Sequence, residues 1–97
     1  MTRPNVLIEA RRLIVTEFRG KKYADFHGSP FDRGGSDSYY RRPRNPHWCP
    51  DWSAPEEANV TLGEITKENM TPEEIEAYHA GYDHNEEAGY KKEADYD

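Results

Sequence analysis

Between His27 and Ser53 a glycine or proline recurs every few residues, at Gly28, Pro30, Gly34, Gly35, Pro43, Pro46 and Pro50. Proline fixes its own φ, lacks an N–H and biases the residue before it toward extended backbone, so no long helix or central strand can run through this stretch. The sequence therefore predicts an irregular middle. Only "GSDSYYRR" has room for a short helix, opened by Ser36 or Asp37, and Gly34-Gly35 reads as a turn. A long irregular stretch in a small domain is uncommon unless it is functional, ordered by a partner or disordered. The middle of the chain is accordingly the first place to look for a binding surface.

The flanks carry more regular signals. Val6, Leu7, Ala10, Leu13, Ile14 and Phe18 fall on one arc at helical spacing, with Thr2 as N-cap, Pro4 in the first turn and Gly20 at the end, which predicts a helix from Pro4 to Arg19. A competing hairpin pairs "LIVTEF" with "KYADF" across "RGKK", favoured by the strand formers Ile14, Val15, Thr16, Phe18, Tyr23 and Phe26. The helix is the preferred reading. After a polar connector with a short strand at Val60 to Leu62, Thr71-Pro72-Glu73-Glu74 combines an N-cap threonine, a proline at the first helical position and a glutamate at N3. A helix from Pro72 to Glu87 follows, with a narrow stripe of Ile75, Tyr78 and Tyr82 and Gly89 to close it. The fold class is a small single domain, mainly α with long irregular loops, or α+β if the N-terminal hairpin forms. It spans residues 1–90, with a frayed tail at 91–97.

Only 34% of the 97 residues are hydrophobic against 33% charged, so the core is modest and must draw on the seven tyrosines and two tryptophans. One cysteine, Cys49, cannot form an internal disulfide, and no apolar run reaches the roughly 20 residues that span a bilayer. A cytoplasmic setting without membrane partners is the expectation. The net charge of −6 hides an asymmetry: residues 1–50 hold ten basic and five acidic side chains, residues 51–97 three basic and fourteen acidic. Such a chain can offer a basic face to phosphate or an acidic face to a basic protein, or fold one half over the other.

Enzymatic chemistry finds little footing. His47 and Cys49 flank one residue in an extended segment with no third orienting group, and Gly34-Gly35 lacks the strand and lysine of a phosphate loop. No cofactor is expected. His47, Cys49, His79 and His84 could form a tetrahedral zinc shell, but the first pair lacks the two- to four-residue gap of a knuckle, so a zinc-stabilised interaction domain is the third reading. The first reading rests on Arg33, Tyr39, Tyr40, Arg41, Arg42, Arg44, His47, Trp48 and Trp52. Guanidinium groups bind phosphate bidentately, and aromatic faces accept unstacked bases. The same rings could instead be the core, with arginines covering their edges. A second reading uses Glu73, Glu74, Glu76, Asp83, Glu86 and Glu87 as an acidic surface that blocks a basic nucleic-acid channel.

At "RGGSDSYYRRPRNPHWCP" the chain resembles ribosome modulation factor, through Arg33, Gly34, Tyr40, Arg42, Cys49 and Pro50. The resemblance covers residues 33–50 and implies binding to ribosomal RNA in a ribosome-associated regulator. The extra "PRNPHW" residues and the acidic second half depart from that family, which is basic throughout. The whole chain also looks like small phage and prophage proteins, which implies host regulation as an inhibitor. The sequence thus points to a non-enzymatic binding module whose partner is RNA or a ribonucleoprotein, with a host nucleic-acid-handling protein as the alternative.

Overall fold

The computed structural model describes residues 14–50 and 63–92. Strand β1 (Val15–Phe18) turns through Arg19 and Gly20 into β2 (Lys21–Ala24), antiparallel and in register from Val15↔Ala24 to Phe18↔Lys21. Arg19 and Gly20 both have positive φ, 54° and 80°, as a two-residue I′ turn requires. This corrects the helix expected from Pro4 to Arg19: residues 15–18 are strand, while residues 4–13 lie outside the described residues. The physical reason lies in the alternation. Thr16 and Phe18 turn inward while Val15 and Glu17 stay exposed, and Tyr23, directly opposite Thr16, shares their inner face. The glycine suited to ending a helix serves equally well to reverse a strand.

Helix α1 (Pro30–Tyr39) starts six residues before the predicted Ser36. Ser29 is its N-cap and accepts from the Asp32 N–H at 3.1 Å, Pro30 fills the first turn, and the Asp32 carboxylate accepts from the Gly28 N–H at 2.9 Å. Gly34 and Gly35 lie inside this helix and form no turn. Both cost helix propensity, roughly 1 kcal/mol each relative to alanine, and at Gly34 a tertiary contact requires the glycine. That contact is helix α2 (Pro72–Ala88), which carries the expected capping box at Thr71 and Glu74 and ends at left-handed Gly89. A Cβ built on Gly34 would lie 2.0 Å from the Tyr78 carbonyl oxygen, and one on Gly81 would lie 2.0 Å from that of Phe31. The two helix backbones are therefore in direct contact. Nothing larger than hydrogen fits between them.

Around this crossing lies a small aromatic core. Phe31 stacks on Tyr23 at 5.3 Å, and His84 packs against both Phe18 and Phe31. Tyr78 is fully buried, and Cys49 and Met70 are also buried. Between the helices, β3 (His47–Trp48) pairs antiparallel with β4 (Ile65–Thr66), followed by a 3₁₀ turn at Lys67–Asn69. The strand expected at Val60 to Leu62 lies outside the described residues. The described parts form one small compact domain of mixed helix and strand. None of its helices is long and apolar enough to cross a membrane.

Candidate nucleic-acid interface

Helix α1 ends in a Schellman arrangement: the Arg41 N–H donates to the Ser38 carbonyl at 3.0 Å and the Arg42 N–H to the Asp37 carbonyl at 2.8 Å. The residue at the left-handed C′ position is Arg41, with φ of 63°. Glycine is the usual occupant there, because a side chain in that conformation costs about 1–2 kcal/mol. Arg41 is exposed, and its side chain makes no ion pair with any of the described residues. Beside it Tyr39 and Tyr40 are 37% and 46% exposed, set edge-to-face at 5.0 Å. The Arg42 guanidinium lies over the Tyr40 ring at 4.8 Å and also bonds Asp37 at 3.1 Å.

The chain after α2 completes this corner. Lys91 Nζ donates to the Ser38 carbonyl at 3.0 Å, the Lys92 N–H donates to the Tyr39 carbonyl at 2.8 Å, and the Lys92 ammonium sits 6.0 Å from the Tyr40 centroid. The tail expected to fray is thus tied down as far as Lys92. Residues 93–97 lie outside the described residues.

Other members of the predicted aromatic and basic set turn inward. Arg33 is largely buried, its Nε donating to His47 Nε2 at 3.4 Å, and His47 Nδ1 faces the Asn45 carbonyl at 2.7 Å. Trp48 is half-buried, with its indole N–H enclosed and lacking an acceptor among the described residues. Arg44 spans Asp83 and His79 while lying over the Tyr82 ring at 4.3 Å, so it straps residues 42–45 onto α2. Trp52 lies outside the described residues. The structure brings together Tyr39, Tyr40, Arg41 and Arg42, and adds Lys92, which sequence reasoning had assigned to a loose tail. No spacing in the sequence signals that addition, because Lys92 reaches the corner through the helix crossing.

The acidic set is largely engaged by the chain itself. Glu74 closes the capping box, Glu76 accepts from Lys21 and Tyr23, Asp83 from Arg44, Glu86 from Lys91 and Ser38, and Glu87 from Arg19. Lys21 and then Tyr23 hold the Glu76 carboxyl below its ordinary range, and Lys91 and Ser38 do the same for Glu86. Glu73 is the one member with no such partner among the described residues. The charge asymmetry of the sequence is resolved in part by folding the basic half onto the acidic helix. Exposed pairs of this kind add little stability.

His79, Cys49, His47 and His84 do not converge, and no group of three or more His, Cys, Asp or Glu among the described residues could hold a metal ion. His79 has a different use. Arg44 can only donate, so His79 Nδ1 accepts from it as a neutral ring. Burial, then the Arg44 charge, pushes its pKa below the ordinary 6.5. The unfolded chain therefore binds this proton more readily, and the His79 contribution to stability, intact above about 6.5, is lost as pH falls from there through the lowered folded value. The thermal midpoint is expected to drop between about pH 7.5 and 5.5, and to drop less in His79→Gln; equal drops would exclude His79 as the source.

No protein-family model, curated protein or solved structure matches this chain.

Proposed function

We propose that this chain is a non-enzymatic, cytoplasmic RNA-binding module that contacts RNA, free or within a ribonucleoprotein, through the corner formed by Tyr39, Tyr40, Arg41, Arg42 and Lys92. The observation that carries the reading is Arg41: an exposed cation with no ion-pair partner among the described residues, beside two exposed rings and in a backbone conformation that favours glycine. A position that gives up stability to keep an arginine is best explained by a contact outside the molecule. The resemblance of residues 33–50 to ribosome modulation factor suggests ribosomal RNA as the first ligand to try. The acidic-surface alternative is less well supported, since five of its six carboxylates are engaged within the chain.

The test separates stability from binding at one residue. Arg41→Gly is expected to stabilise the fold by about 1 kcal/mol, because glycine adopts the left-handed conformation without strain. The same change should weaken RNA binding and make its salt dependence shallower by about one phosphate contact, measured by titration at several salt concentrations. RNA affinity unchanged in a more stable Arg41→Gly protein would reject the proposal.

A further inference from the structure

We infer that the ligand of this corner is unpaired, single-stranded RNA, with one base stacked on Tyr39 and the flanking phosphates held by Arg41 and Lys92; the inference rests on the RNA reading above. The two tyrosines are not equivalent. Tyr40 already carries Arg42 at 4.8 Å and Lys92 at 6.0 Å from its centroid. Tyr39 has no cation over its ring among the described residues, although it is 37% exposed. Its ring meets Tyr40 at 88°, so the pair forms a corner and not a flat wall. A corner of this shape suits one splayed base, with cations on the adjacent ring to take the phosphates on either side.

The end of a helix would ordinarily repel phosphate, because its free carbonyls carry the negative end of the dipole. Here those carbonyls are occupied. Asp37 O accepts from Arg42 N, Ser38 O from Arg41 N and Lys91 Nζ, and Tyr39 O from Lys92 N. With those carbonyls satisfied and Arg42 shared with Asp37, the cations left facing outward at this corner are Arg41 and Lys92.

A duplex would gain much less from this surface. Its bases present no open faces, so the tyrosines would have nothing to stack on, and A-form RNA has a major groove too deep and narrow for side chains to read. Base–aromatic stacking is available to unpaired bases alone, and one stacked base is worth roughly tenfold or more in affinity.

The test uses the full chain and a fluorescently labelled RNA of about 12 nucleotides, alone and annealed to its complement, with anisotropy read at fixed salt. The single strand is expected to bind about tenfold more tightly than the duplex. Tyr39→Leu should abolish most of that preference by weakening single-strand binding much more than duplex binding, and Tyr39→Phe, which keeps the ring, should retain it. Equal or tighter binding of duplex, still weakened by Arg41→Gly, would overturn the single-strand inference and leave the RNA reading standing. A preference that survives in Tyr39→Leu would remove Tyr39 as the platform. Binding of neither probe would overturn both readings.

Discussion

Replacing Gly34 or Gly81 with alanine is expected to lower stability by about 3 kcal/mol or more, which is a large fraction of what a domain this small possesses. A methyl group at either position would lie 2.0 Å from a backbone oxygen of the opposite helix, and the atoms it meets belong to main chain, which cannot swing aside as a side chain can. The helices would have to separate, exposing Phe31 and Tyr78, the most deeply buried aromatic rings among the described residues. Gly35 provides the control. Its added Cβ would sit 3.6 Å from the Gly81 oxygen, an ordinary contact, so Gly35→Ala should be neutral or stabilising by up to about 1 kcal/mol through helix propensity alone. Urea unfolding followed by circular dichroism distinguishes the three variants. A Gly34→Ala protein that unfolds at the wild-type urea concentration would show that the backbones do not touch there.

The second large effect is expected at Tyr78. Its hydroxyl donates to the buried Asp37 carboxylate and accepts from the Asn45 N–H at 2.9 Å, joining both helices and the loop after α1. Burial, then Asp37, raises the phenol pKa, so the group stays a donor across the physiological range. Tyr78→Phe keeps the ring but leaves a buried carboxylate and a backbone N–H each short of a partner. The expected loss is about 2–4 kcal/mol. Asp37→Asn weakens the same bond from the other side, so the double variant should be less destabilised than the two single changes together, by about 1 kcal/mol or more. Additive losses would mean that the two groups act independently.

The two ends of the fold differed in how far local sequence could specify them. The α2 boundaries were legible because Thr71-Pro72-Glu73-Glu74 and Gly89 act through neighbours in the chain. Ser29-Pro30-Phe31-Asp32 offers a related N-cap serine and first-turn proline, but the helix was expected to open only at Ser36 or Asp37, because Gly34-Gly35 a few residues on looks like a turn to any local reading. Gly34 is explained only by the passage of Tyr78 against it, a relation between residues over forty positions apart. The N-terminal hairpin was obscured for a related reason: residues 6–18 satisfy a helical period, and the inner face shared by Thr16, Phe18 and Tyr23 has meaning only once Phe31 and His84 lie beneath it. Within the candidate site, residue types were informative and orientation was not. Arginines at 33, 41, 42 and 44 are alike in sequence, and only their partners in the fold separate Arg33 and Arg44, tied to Asp32, His47, Asp83 and His79, from Arg42, shared between Asp37 and the exposed Tyr40, and from Arg41.

The single cysteine, Cys49, is buried, and its N–H donates to the Gly28 carbonyl at 2.8 Å. A thiol reagent can reach that sulfur only when the structure around Cys49 opens. The rate of modification is therefore a built-in clock for that opening, readable in native buffer with no dye or engineered label.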